Sequence, residues 1–270
     1  MALPFFYNED IVASSADVVL DEASSRHIVQ VLRMQNGEQL QLTNGKGGLF
    51  TAEIADNNRK NCTVSIIQKS ETLPTGRQVA NLIPITIGTK ITIGISLIKN
   101  STRFEWFLEK AAEIGVSEII PLICERTEKN TFKFERMKNI LVSAMLQSRQ
   151  CWLPVLHEPV HFKKLLEGSK PLQELDDFKK LLEGSKPLQE LDEYQQKFIA
   201  HCIDGAKRNL ADLNNESLSS KIILIGPEGD FTPDEIELAL QNHFSAVALG
   251  ETRLRTETAG IVAAALLRMV

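Results

Sequence analysis

Residues 225–240 read "IGPEGDFTPDEIELAL" and follow the apolar run "KIIL", so a buried strand runs straight into a turn and then a helix. Thr232, Pro233, Asp234 and Glu235 form an S/T-x-x-E capping box with proline at the first helical position, which specifies where that helix starts. Ahead of it, Gly226-Pro227-Glu228-Gly229 places two glycines around a rigid proline. Such a turn bends tightly and lets a ligand come close to main-chain N–H and C=O groups. Neither G-x-G-x-x-G nor G-K-[ST] is present, so the turn is not a dinucleotide or nucleoside-triphosphate loop.

A second loop of the same kind follows the next strand pattern. "LGETRLRTETAG", residues 249–260, gathers Arg253, Arg255, Thr256, Glu257 and Thr258 ahead of a closing helix. Open α/β sheets bind ligands outside the carboxyl ends of their strands, and two successive strands ending in polar, glycine-containing loops point to a site there. Working outward, residues 91–270 alternate strands ("ITIGISLI", "SEIIPLIC", "KFIAHCI", "KIILIG", "SAVALG") with helices ("STRFEWFLEKAAEIG", "FERMKNILVSAMLQSRQ"). That alternation predicts a mostly parallel sheet covered on both faces.

The first 72 residues read differently. "EQLQLTNGKGGLFTAEI" is a hairpin pattern, "NCTVSIIQK" adds a strand, and "SSRHIVQVLRMQNG" predicts one helix with a serine start and Ile28, Val31 and Leu32 on its apolar side. A small β-barrel domain over 1–72 is expected, then a linker over 73–90 that holds the first of two "ITIG" segments, then an α/β domain over 91–270. Inside the latter, "FKKLLEGSKPLQELD" occurs at 162–176 and again at 178–192, so 162–193 reads as a tandem duplicated insertion. Two identical copies are too few for a repeat architecture, and one copy is expected to protrude.

The net charge of −5 over 270 residues argues against a general polyanion binder, and an RNA target would have to be contacted by local patches. Four scattered cysteines suggest neither a disulfide framework nor a metal site. No apolar run approaches the ~20 residues of a membrane span and "MALPFFYNED" is not a signal peptide, so a cytoplasmic protein without membrane or metal partners is expected.

The pair "IGPEGDFTPDEIELA" and "LGETRLRTETAG" resembles the SPOUT superfamily of S-adenosylmethionine-dependent RNA methyltransferases, and within it the bacterial branch that methylates N3 of a uridine in 16S ribosomal RNA. "RHIVQVLRMQNGEQLQLTNGKG" resembles that branch's N-terminal PUA-like barrel. The resemblance implies a C-terminal α/β trefoil-knot domain, a homodimer, and a methyl-donor pocket walled by Gly226, Pro227, Glu228 and Gly229 on one side and Leu249, Gly250, Leu254 and Arg255 on the other. It implies S-adenosylmethionine as cofactor and 16S ribosomal RNA in the small subunit as partner. Arg255 is the expected catalytic arginine, with Glu257 orienting it or accepting a proton. Arg26, His27 and Arg33, with Lys99 and Arg103, are the candidate RNA contacts. The family's second loop commonly reads L-G-x-R-I-L-R-T-E-T, so Arg253 is displaced by one position here, and Asp230 stands where the family often has glycine. The alternative is a knotted RNA-binding or ribosome-assembly protein without methyl transfer.

Overall fold

The computed structural model describes residues 3–12, 14–71, 89–128, 131–167, 191–203, 205, 207–215 and 217–269. They form two compact units, one built from the described residues up to 71 with Val142–Leu153, the other from those between 89 and Leu141 and from Pro154 onward. Most of the expected linker and the first "ITIG" lie outside the described residues.

The first unit is a five-stranded sheet. Its elements are β1 (Phe5–Tyr7), β2 (Asp17–Val19), α1 (Glu22–Arg26), β3 (Gln39–Thr43), β4 (Gly48–Asp56) and β5 (Thr63–Glu71). The strand order is β1-β3-β4-β5-β2, antiparallel except for β1 against β3. The β3–β4 hairpin pairs Leu40 with Ala52 and Leu42 with Phe50, so the alternating residues meet in one core with Ile28, Ile54 and Val64. Asn44 Oδ1 holds the turn by accepting from the N–H groups of Lys46 (2.9 Å) and Gly48 (3.0 Å).

The helix differs from its sequence pattern. Its cap is Asp21, whose carboxylate accepts from Ser24 N at 2.9 Å, and after Arg26 it widens into a π-turn over His27–Val31. The wider turn rotates later residues off the inner face. Ile28 stays buried, while Val31 is 67% and Leu32 41% exposed. Arg33 leaves the turn in the left-handed conformation, φ 57°.

The second unit contains β6 (Lys90–Ser96), α2 (Ser101–Ile114), β7 (Glu118–Ile123), the part of α3 (Phe134–Gln147) up to Leu141, β8 (Val155–Leu156), β9 (Val160–His161) and α4 (Phe162–Glu167). A 3-10 turn at Leu191–Glu193 leads into β10 (Gln196–Ala200), β11 (Arg208–Asn209), α5 (Leu210–Leu213), β12 (Ser220–Ile225), α6 (Pro233–Gln241), β13 (Ser245–Ala248) and α7 (Thr256–Met269). All strand pairs are parallel, in the order β11-β13-β10-β12-β6-β7-β8, with β9 also on β7. The central β6 and β12 are buried beyond their first residues, as continuous apolar runs in a two-sided sheet should be. Helix α2 turns Phe104, Phe107, Leu108 and Ala111 inward and stops at Gly115, whose φ of 88° closes the last turn on the Ala111 carbonyl. The capping box at α6 forms as expected: Thr232 Oγ1 accepts from Glu235 N and Glu235 Oε2 accepts from Thr232 N.

The duplicated segment contributes to the core from both copies. Phe162, Leu165 and Leu166 of the first and Leu191 of the second are buried in one cluster with Ile199, Leu224 and Phe231. Residues 168–190, which hold the remainder of both copies, lie outside the described residues, and with them the expectation that one copy protrudes.

The amino ends of β6 and β7 carry a buried polar knot of side chains. Glu118, 4% exposed, pairs with His157 Nε2 and with Lys90 Nζ at 2.7 Å, and accepts from Thr92 Oγ1 at 3.0 Å and Tyr194 Oη at 3.1 Å. Burial pushes the carboxyl pKa up, but the hydrogen bonds from His157 and Lys90 outweigh it and hold it down at about 2. Burial and the nearby Glu118 charge raise the Tyr194 phenol.

Candidate active site

Three neighbouring strands, β13, β10 and β12, end in loops at the same edge of the sheet, and a cavity of about 600 Å³ opens between those loops. Gly226, Pro227 and Glu228 line it from the β12 loop, and Leu249, Gly250, Leu254 and Arg255 from the β13 loop. Of the expected wall, Gly229 alone is not among the lining residues. Its carbonyl is turned to Arg126 Nη1 at 2.7 Å.

The two expected walls are fastened together. The Thr256 hydroxyl, buried at the start of α7, donates to the Gly226 carbonyl at 3.0 Å, and Arg253 Nη2 donates to the Glu228 carbonyl at 3.3 Å. The displaced arginine of the second loop therefore braces the first. Gly226 lies in tight space, because a Cβ there would stand 3.0 Å from the Phe231 ring and 3.1 Å from its backbone nitrogen, and Phe231 would have to give way by a few tenths of an ångström.

Arg255 is exposed in the cavity wall, and its guanidinium has no hydrogen-bond or ion-pair partner among the described residues. Glu257, 6% exposed in the first turn of α7, is outside the lining. One of its oxygens lies 3.7 Å from Arg103 Nε, and the other, Oε2, is buried without a partner. The structure thus brings Glu257 to Arg103. Lys99 sits at the same rim, with its backbone N–H on Glu228 Oε1 at 3.3 Å and its ammonium on Glu128 at 2.6 Å. The other RNA candidates belong to the first unit, where Arg26 is paired with Glu22 and His27 stands edge-on to Phe6 with ring centroids 5.8 Å apart.

The third wall has no counterpart in the sequence reading. Strand β10 ends at Ala200, so His201 and Cys202, expected inside a strand, belong to a loop that lines the cavity with Lys207. Lys207 Nζ donates to the carbonyls of His201 and Ile203, both at 2.8 Å, and fixes that loop. Among the described residues His201 Nδ1 is buried with no partner. Burial and the Lys207 charge lower the imidazole pKa against a weaker opposing effect of Asp230, which favours the neutral ring. A buried ring nitrogen without a partner is costly, and polar groups left this way concentrate where a ligand completes them.

Among the described residues no helix is long and apolar enough to cross a membrane, and no group of three or more His, Cys, Asp or Glu could hold a metal ion. Residues 87–268 match the family model of the RNA methyltransferase domain, and residues 20–67 that of the RNA methyltransferase PUA domain. The ribosomal RNA small subunit methyltransferase E of Synechocystis is 29% identical over 258 residues, 93% of this chain and 72% of that protein. The crystal structure of a probable rRNA-methyltransferase from Porphyromonas gingivalis is 34% identical with a TM-score of 0.77 over 99% of both chains. That of a ribosomal RNA small subunit methyltransferase E from Neisseria gonorrhoeae bound to S-adenosyl methionine is 26% identical with a TM-score of 0.74, over 99% of this chain and 97% of that one. The fold is the knotted α/β class with a PUA-like domain before it, and with the match extending over most of its length this chain belongs to the RNA methyltransferase domain family.

Proposed function

We propose that the protein transfers a methyl group from S-adenosylmethionine to ribosomal RNA of the small subunit, at N3 of a uridine. The observation that carries this reading is the cavity at the ends of β10, β12 and β13, with Arg255 in its wall unpaired among the described residues. Its lining suits an adenosyl group joined to a sulfonium. It offers glycine-flanked backbone, the His201 imidazole and apolar Leu249 and Leu254, and it has no phosphate-binding loop. Residues 226–228, 249–250 and 254 would hold the donor, which when bound supplies an electrophilic methyl group.

The chain's own residues do the rest. A uracil N3 must lose its proton, and the resulting charge spreads to the two flanking carbonyl oxygens. Arg255 stabilises that charge in this reading, with the fixed fork of its guanidinium. Glu257 holds Arg103, and Arg103 and Lys99 contact the RNA in this reading. Arg26, His27 and Arg33 on the PUA-like domain provide further RNA contacts, and two chains pair through apolar surface of the C-terminal unit to make the active cytoplasmic dimer.

Incubating the protein with isotope-labelled S-adenosylmethionine and either 30S subunits or naked 16S RNA tests the proposal. Label should appear as N3-methyluridine at one position. Saturable donor binding without incorporation into either substrate would favour a knotted RNA-binding protein instead. Sedimentation at micromolar concentration should show a dimer.

A further inference from the structure

The loop 226–230 is held from two sides by residues to which neither the comparisons nor the family signature assigns a role. Pro227 to Asp230 form a turn in which Asp230 N donates to the Pro227 carbonyl at 2.9 Å and Asp230 itself is left-handed, φ 67°. From that conformation its carboxylate reaches across the cavity floor. Oδ2 accepts from Cys202 N, in the β10 loop, at 2.8 Å, and Oδ1 accepts from Phe231 N at 2.9 Å. On the outer side, Arg126 Nη1 donates to the Gly229 carbonyl at 2.7 Å, and its stem lies so close over Gly229 that a Cβ there would be 3.3 Å from Arg126 Cδ. The segment carrying Arg126 is itself anchored. Glu125 N donates to the buried Glu235 at 2.9 Å, and the Thr127 hydroxyl accepts from Cys124 N at 2.9 Å and bonds Ser96 Oγ at 2.9 Å.

We infer that Asp230 and Arg126 are positioning residues of the methyl-donor pocket, a two-sided clamp on the loop 226–230 that sets the wall 226–228 in its binding shape before the donor arrives. The inference rests on the reading of the cavity as the donor site. Asp230 joins the β12 loop to the β10 loop, and Arg126 joins it to the loop after β7. Neither contact requires the side chain to touch the donor; each removes freedom that binding would otherwise have to remove. An aspartate at a position where the family often has glycine is thereby explained, since glycine permits the left-handed turn but cannot reach Cys202.

Calorimetric titration of the full chain with S-adenosylmethionine is the test, with melting temperatures and the KM for RNA measured alongside. Asp230→Gly permits the same backbone conformation and removes both carboxylate bonds, to Cys202 N and Phe231 N, and should weaken donor binding about five-fold, about 1 kcal/mol at 1.4 kcal/mol per tenfold. Asp230→Asn, which tolerates the same φ and keeps an acceptor, should stay within about two-fold of wild type. Arg126→Ala should match Asp230→Gly, Arg126→Lys should recover most of the loss, and the double variant should combine both to about twenty-five-fold, with the KM for RNA unmoved. Wild-type affinity in Asp230→Gly and Arg126→Ala, or a double variant no weaker than either single one, overturns the clamp and leaves the function standing. Absence of donor binding in the wild-type chain overturns both.

Discussion

At the amino ends of β6 and β7, Glu118 is surrounded by His157, Lys90, Thr92 and Tyr194, so every charge buried there has its counterpart in the chain. At the carboxyl ends of β10, β12 and β13 the side chains are just as specifically placed, but among the described residues His201 Nδ1 and Glu257 Oε2 are buried without partners and the Arg255 guanidinium makes no bond. Both ends lie in one sheet and both are rich in titratable groups. The difference is in who completes them. A network closed within the chain fixes the fold, whereas one left open is completed by something that arrives, and the cavity lies at the open end.

The sharpest way to break this comparison is to remove the centre of the closed end. Glu118→Ala leaves Lys90 and His157 beside an empty site and should cost about 3–5 kcal/mol in urea unfolding, with donor affinity unchanged in the folded protein. A large loss of affinity with little loss of stability would reverse the roles of the two ends. The same carboxyl makes a pH prediction. Its pKa is depressed from 4.5 to about 2 in the folded chain, so the unfolded chain binds the extra proton between those values. Stability should therefore be full above that window and fall as the pH drops through it, and Glu118→Gln should lack this component.

At the open end, Arg255→Ala should lower methyl-transfer turnover about a hundredfold while donor affinity stays within about tenfold, and stability should hardly change because no bond within the described residues is lost. Single-turnover assays with a melting curve separate these. Wild-type turnover would remove Arg255 from the chemistry. The smallest effect is expected from deleting residues 162–177, which leaves a second "FKKLLE" to supply the phenylalanine and leucines now given by Phe162, Leu165 and Leu166. Neither end should respond, in turnover or in melting temperature. A deletion that unfolds the chain would show that both copies are needed.

Much of the open end was legible because it is written in local chemistry. The capping box at Thr232, the glycines of the β12 and β13 loops, and the cluster Arg253 to Thr258 all lie in short stretches whose geometry follows from their own residues. The β10 loop was not legible, because "HCIDGAK" has no signature and gains its place only from β10 lying between β13 and β12. Strand order among parallel strands is a property of the whole sheet. The closed end was hidden for the same reason, since Lys90, Glu118, His157 and Tyr194 are far apart in the chain and meet only through register. Strands of two or three residues such as β8, β9 and β11 are too short to show a period, and the π-turn after α1 follows from a backbone choice that the spacing of Ile28, Val31 and Leu32 does not reveal.

The left-handed backbone at Asp230 also bears on how this pocket can drift in a population. Few residues tolerate that φ, and the two best suited besides aspartate, glycine and asparagine, are each one nucleotide transition away from an aspartate codon. Asparagine would preserve the reach to Cys202, and glycine would sever it while leaving the turn intact. On the clamp proposed above, donor affinity at this site would be kept by one single-base change and lowered by the other, and neither would need a compensating substitution elsewhere in the protein.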